Sequence, residues 1–278
     1  MPTPPRSSVS FPSHADLFYF CTTSSASEED LNIHYAPPST SSLRIGVVVY
    51  SQEPVQLLDL AALDLLAMVG RNRISRINAA DAAIDEAVDE IDIRYVSVTG
   101  EGSFPVTSGS RMPVTPTLMA KKSHFLVALD SPGLDYNSFA NAPQFDILVI
   151  PGSFSSSELP AEASSFLTTQ CLNTNLLAIM SIASGISYIV QAGSLQGTRV
   201  SAPRCLLPAL QQKYPEAQWQ FSSWSRHGKV WTSNSAVSAL DMVATWMREY
   251  FWDRSQAVDC VLTAAGLGSL YDYSHCDY

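Results

Sequence analysis

The sequence predicts an α/β domain wound on both faces of a mostly parallel sheet. Three observations carry that expectation. Short runs of β-branched and other apolar residues, Arg44–Tyr50, Phe145–Ile150 and Leu176–Ile182, read as strands buried on both faces. Segments with apolar residues at helical spacing lie between such runs. Strands and helices alternate along the chain, which implies a parallel sheet covered on both sides.

The elements follow in order. Residues 1–42 are rich in Ser, Pro and Thr and end in Pro37-Pro38-Ser39-Thr40-Ser41-Ser42. Such a segment buries too little apolar surface to offset its ordering entropy, so it reads as a mostly irregular extension, with Phe18, Tyr19 and Phe20 able to dock locally. Order begins at Leu43 with the first buried strand. A helix with Leu, Ala and Met68 on its face spans Leu57 to Val69 and stops at Gly70. Arg71 to Glu90 is alanine-rich and acidic and reads as an inserted or extended connection. Ile91 to Val98 alternates as a strand does, and short β-type pieces follow through Val106, Val114 and Phe125 to Leu129. After a loop from Ser131 to Gln144, the strand Phe145–Ile150 runs into Pro151-Gly152-Ser153. A helix from about Ser157 to Asn173, the strand Leu176–Ile182 and a helix from Gly185 to Ala192 come next. Pro208 to Tyr214 reads as a short helix, Val230 to Thr232 as a strand and Ala236 to Tyr250 as a long helix. No second core stands out, so the expected organisation is one domain, 43–278, behind an extension, 1–42.

Composition narrows the function. The chain has 278 residues, 46% of them apolar, and a net charge of −10 with only 16 basic residues, which are scattered. Nucleic-acid and anionic-membrane partners are disfavoured, because phosphate binding needs clustered Lys and Arg. No stretch of about 18 apolar residues is present to span a bilayer, and Leu17 to Cys21 is too short for a signal-peptide core. Five cysteines without a C-x-x-C pair suit a reduced, cytoplasmic protein better than a disulfide scaffold or a zinc site. Neither a phosphate loop nor a dinucleotide fingerprint occurs, so no cofactor and no metal is expected.

In open parallel sheets ligands bind beyond the carboxyl ends of the strands. Three such ends carry candidate residues: Asp59 after the first strand, Gly152 and Ser153 after the central one, and Ala183-Ser184-Gly185 after the next. The last has the strand–tight turn–helix character of a nucleophile elbow, whose opening amides are unpaired and carry partial positive charge. Gly152 and Ser184 are the expected donors to an oxyanion. Asp59 is either a helix cap or, if it faces an apolar pocket, an acid/base group with a raised pKa. Asp64 is about 140° round the helix from it and forms no carboxylate pair with it. Ser184 has no adjacent histidine, Cys205 reads as an inert buried thiol, His227 as part of a hairpin turn, and Trp219, Trp224 and Trp231 as core or dimer surface.

From Arg44 to about Trp252 the ordered segments resemble the DJ-1/PfpI superfamily, with its flavodoxin-like fold, and its isocyanide-hydratase-like branch in particular. The resemblance is carried by Ile45–Tyr50 with Leu58-Asp59-Leu60, by Ile147–Gly152, by Ser181–Gly185, by Ala192–Val200, by Gly228–Ser233 and by Ser238–Asp241. It implies that Asp59 is the acid beside the nucleophile and that position 183 is the nucleophile itself. Alanine stands there in place of the family's cysteine, Pro203-Arg204 replace a frequent His-Trp pair, and Ala62-Leu63 replace a Gly-Pro. Ala183 is either an engineered replacement that stops turnover or a natural loss. The resemblance implies a homodimer and a cofactor-independent hydratase, dehydratase or isomerase acting on a small-molecule substrate; the serine-rich extension and divergent loops suggest a member in specialised biosynthesis. The alternatives it leaves are a catalytically silent binding or chaperone-like module and a thiol hydrolase or glyoxalase-like enzyme.

Overall fold

A computed structural model describes residues 8–11, 32–35, 41–49, 54–114, 138–153, 158–193 and 195–268. The chain divides into two compact units, Met1–Ser42 and Leu43–Tyr278. In the first, β1 (Ser8–Phe11) pairs in parallel with β2 (Asn32–Tyr35). The rest of the expected extension, up to residue 40, lies outside the described residues. Ser-Val-Ser-Phe and Asn-Ile-His-Tyr each alternate polar and apolar residues, a strand pattern only four residues long and easily lost among Ser and Pro.

The second unit is built on a six-stranded sheet. Its strands are β3 (Ser42–Val48), β4 (Glu90–Val96), β7 (Ile147–Ile150), β8 (Ala178–Ser181), β11 (Trp224–His227) and β12 (Val230–Ser233), in the order β11-β12-β8-β7-β3-β4. The strands β3, β7, β8 and β12 run parallel, and β11 closes one edge as an antiparallel hairpin with β12. Two small ladders stand apart: β5 (Ser103–Pro105) with β6 (Arg111–Pro113), and β9 (Arg199–Ser201) with β10 (Gln218–Gln220). This is the mostly parallel, doubly wound architecture read from the sequence. The strand β3 is the first of this sheet in chain order, its successor β4 lies on one side, and β7, β8 and β12 spread to the other. Strand order thus reverses between β3 and β7, where the crevice of such a sheet opens.

Every residue of β7 and β8 is buried, because helices cover both faces. On one face α1 (Ala61–Met68) packs against α7 (Ala236–Tyr250), which packs in turn on α8 (Ser255–Ala264). Ser235 caps α7 by accepting a hydrogen bond from the Ser238 amide at 3.2 Å, and Ala239, Met242, Val243, Trp246, Met247 and Tyr250 form its buried face. On the other face α4 (Ala161–Leu172), α5 (Ile186–Gln191) and α6 (Leu207–Lys213) enclose a core that includes Leu148, Ile150, Phe166, Ile179 and Ile189. Helix α4 begins later than the sequence predicts, at Ala161, because Pro160 holds the residue before it out of the helical region. The connection from Arg71 to Glu90 contains two short helices, α2 (Arg71–Ile74) and α3 (Asp81–Asp85). The β-type piece expected at Phe125 to Leu129 lies outside the described residues.

Candidate functional site

The ends of β3, β7 and β8 converge at the reversal of strand order, and they bring together the residues singled out in the sequence. After β3 the chain crosses to a single 3-10 turn, Leu57–Leu60, that leads into α1. Leu57 and Leu58 point outward, whereas Asp59 is turned inward and is fully buried. Its carboxylate does not cap a helix. The cap position of the turn is Gln56, with no side-chain bond, and the Asp59 amide donates to the Gln56 carbonyl at 3.0 Å. Asp64 stands on the exposed side of α1, apart from Asp59.

The Gly152 amide, at the end of β7, donates to Asp59 Oδ2 at 2.8 Å. The other oxygen, Oδ1, is buried without a hydrogen-bond partner among the described residues. Loss of water around the carboxylate raises its pKa from 3.8 to about 6, and the Gly152 hydrogen bond offsets only part of that rise. The sequence reading assigned the Gly152 amide to an incoming ligand. Here it is directed at Asp59 instead, so it fixes the acid and not an oxyanion. Position 152 admits only glycine at this approach. A Cβ there would stand 2.7 Å from Asp59 Oδ2 and 2.5 Å from Ser184 Oγ.

The turn after β8 is strained where a nucleophile elbow is strained. Ala183 has φ 49°, and among the described non-glycine residues only Asn78 shares a positive φ. Asparagine visits this region readily through local hydrogen bonds; alanine does so only when its surroundings hold it there. The holding contacts are visible on both sides. The Ile182 amide donates to the Ile150 carbonyl at 3.0 Å, and the Gly185 amide to the Ile182 carbonyl at 2.9 Å. Gly185 lies so close to the Ile150 carbonyl that no side chain fits. Ser184 Oγ donates to the Ser153 carbonyl at 2.7 Å, tying the elbow to the loop after β7. Ala183 and Ser184 are half-exposed. Their amides open a 3-10 turn, Ala183–Gly185, and so have no partner within it.

Tyr188, one turn into α5, was not singled out in the sequence. Its hydroxyl hydrogen-bonds the buried Ser153 side chain, giving the loop after β7 a second tie to the elbow helix. A tyrosine on the buried face of a predicted helix is the only sequence signal for it, and that signal also fits plain core packing. Ser153 itself is 6% exposed and contributes no free surface. Cys205 is exposed, contrary to the buried thiol expected, because it lies in the turn before α6. His227 ends β11 on the edge of the sheet, where its Nδ1 accepts from the Arg199 amide at 3.4 Å, away from Asp59. Trp231 is core, Trp224 stacks on it at 5.7 Å, and the Trp219 indole donates to the Tyr214 carbonyl at 2.9 Å. His124 lies outside the described residues. Among the described residues no cluster of three or more His, Cys, Asp and Glu is placed to hold a metal, and no helix is long and apolar enough to cross a membrane.

No protein-family profile and no curated protein matches this sequence. Solved structures do. An AraC family transcriptional regulator from Pseudomonas putida aligns at TM-score 0.55 and 14% identity, over 79% of this chain and 99% of its own. Drosophila melanogaster DJ-1beta aligns at TM-score 0.55 and 14% identity, over 82% and 99%. A ThiJ/PfpI family protein from Pseudomonas syringae aligns at TM-score 0.55 and 15% identity, over 82% and 76%. The chain therefore has the flavodoxin-like α/β fold of DJ-1/ThiJ/PfpI proteins.

Proposed function

We propose that this chain is a small-molecule enzyme of the hydratase, dehydratase or isomerase type, with Asp59 as its proton-transferring group. One observation carries the reading. A fully buried carboxylate, with a pKa raised to about 6 and one oxygen without a partner among the described residues, sits at the reversal of strand order beside a strained elbow. Burying a carboxylate costs stability, and a fold with no use for it places an apolar residue there. A group titrating near 6 exchanges protons efficiently at neutral pH, because both its forms stay accessible.

Asp59 Oδ2 is held by the Gly152 amide, which leaves Oδ1 as the basic atom. In this reading a reactant enters past the half-exposed Ala183 and Ser184. Asp59 takes a proton from a carbon next to a carbonyl or related group, and negative charge gathers on the substrate oxygen near the Ser184 amide. Returning the proton to a neighbouring atom completes an isomerisation. Delivering it to a departing hydroxyl releases water and completes a dehydration, and the reverse is a hydration. With cysteine at position 183 the chemistry would become covalent, a thiolate adding to an electrophilic carbon with Asp59 as the proton shuttle.

Alanine at the elbow favours a second reading, a catalytically silent binding module, in which Asp59 is dispensable. Incubation with an aryl isocyanide and with an α-oxoaldehyde, followed by NMR detection of products, separates the two. Turnover by the chain, or by Ala183→Cys if the parent is inert, is expected to fall about 100-fold or more in the matching Asp59→Asn protein. The enzyme reading is abandoned if Asp59→Asn turns over as fast as its parent, or if neither position-183 form acts on either compound.

A further inference from the structure

One cavity outlined by the described residues has no wall formed by Asp59. It has a volume of about 90 Å³ and opens past the end of β12, the strand next to β8, between the segment after β9 and the loop that joins β10 to β11. Arg204, Phe221, Ser222, Ser223 and Asn234 line it, and no acidic residue does. We propose that this cavity binds the carboxylate of a small molecule, held by the Arg204 guanidinium together with the Ser222 and Ser223 hydroxyls.

Three features support the site. The first is an unneutralised cation. In a chain of net charge −10, Arg204 forms no ion pair and no hydrogen bond with any described residue. Its guanidinium lies over the Phe221 ring, 5.1 Å from the centroid, and ring and guanidinium together are held at the mouth of the cavity. A cation–π contact of this kind uses no N–H donor, which leaves the guanidinium's donors for an oxyanion. The second is a store of hydroxyl donors. Ser222 Oγ belongs to a triangle with Ser201 Oγ at 2.8 Å and Ser225 Oγ at 3.0 Å, whose third side is 2.5 Å. A hydroxyl in such a ring can turn its proton toward a ligand while its oxygen still accepts from a neighbour. The third is a rigid floor. Asn234 donates to the Ser222 carbonyl at 3.1 Å and accepts from Ser238 Oγ at 2.9 Å, which pins the loop to the start of α7.

Charge and geometry select the class of anion. One guanidinium fork matches the two oxygens of one planar carboxylate. A phosphate dianion would leave a charge unmatched in a chain that is already acidic. The proposal stands apart from the chemistry of Asp59 and requires no turnover.

Acetate titrated into the 15N-labelled chain at constant ionic strength, with chloride and inorganic phosphate as parallel arms, tests it. Acetate is expected to shift the amide signals of residues 202–204 and 221–223 saturably, in the millimolar range. Arg204→Gln should weaken that binding about tenfold or more. Arg204→Lys, which keeps the charge but not the fork, should weaken it at least threefold. Should Arg204→Gln perturb the fold, Ser223→Ala is the second variant, with a loss of about threefold expected. Non-saturable shifts, tighter binding of phosphate, an equal response to chloride, or unchanged affinity in Arg204→Lys would each overturn the carboxylate site.

Discussion

Asp59 shows at the scale of one residue how function and stability pull against each other. Its pKa is raised from 3.8 to about 6 on folding, chiefly by desolvation. The folded state therefore holds this proton more tightly than the unfolded chain does. Stability contributed by the protonated form is complete below pH 3.8 and is lost as pH rises through about 6. The two values differ by roughly 3 kcal/mol of folding free energy. Burial also raises the pKa of Asp146, partly offset by the Arg44 amide and charge, so both groups act with the same sign. The comparison with Asp59→Asn isolates one of them. Urea unfolding between pH 4 and pH 7 should show the parent losing about 2.4 kcal/mol more than Asp59→Asn does, because the unfolded carboxyl is already more than half ionised at pH 4. Parallel pH curves for the two proteins would mean that Asp59 is hydrated in solution. The position of this acid was legible in the sequence, because it follows a buried strand at the end where parallel sheets bind ligands. Its bonding was not. That Gly152 donates to it, and that Oδ1 has no partner among the described residues, depends on the approach of β7 to β3 across 93 positions of sequence.

Among the elements, legibility followed length and periodicity. The strands β3, β7 and β8 were readable because apolar residues dominate them in short runs, and α7 because its buried residues recur at three and four. The ladder of β9 with β10 escaped, since three residues carry no period. The helix α8 was passed over although Ala257, Val258, Val261 and Leu262 recur at helical spacing. The elbow was legible as small residues, yet its strain was not, for nothing in Ile-Ala-Ser-Gly announces a positive φ at alanine. That strain depends on the close approach of Gly185 to the Ile150 carbonyl at the end of β7. Gly185→Ala should push the turn off the strand and destabilise the protein by about 3 kcal/mol, the upper end for overpacking against atoms that cannot move aside. Thermal unfolding and loss of near-ultraviolet ellipticity report it. A variant as stable as the parent would show that β7 and the elbow are less closely packed than described.

Across the whole molecule, the division of the chain decides what the first 42 residues are for. Among the residues whose burial is described, the core runs from Leu43 to Leu262, and the first unit holds a short parallel pair. The six-stranded sheet draws all of its strands from residues 42–233. A chain beginning at residue 41 should therefore fold cooperatively, with its unfolding midpoint within about 4 °C of the parent, the shift expected from a change of no more than about 1 kcal/mol. Its far-ultraviolet spectrum should keep the mixed α/β form. If the shortened chain unfolds many degrees earlier, or aggregates where the parent does not, the first unit is part of the fold, and its Ser- and Pro-rich composition conceals a structural role.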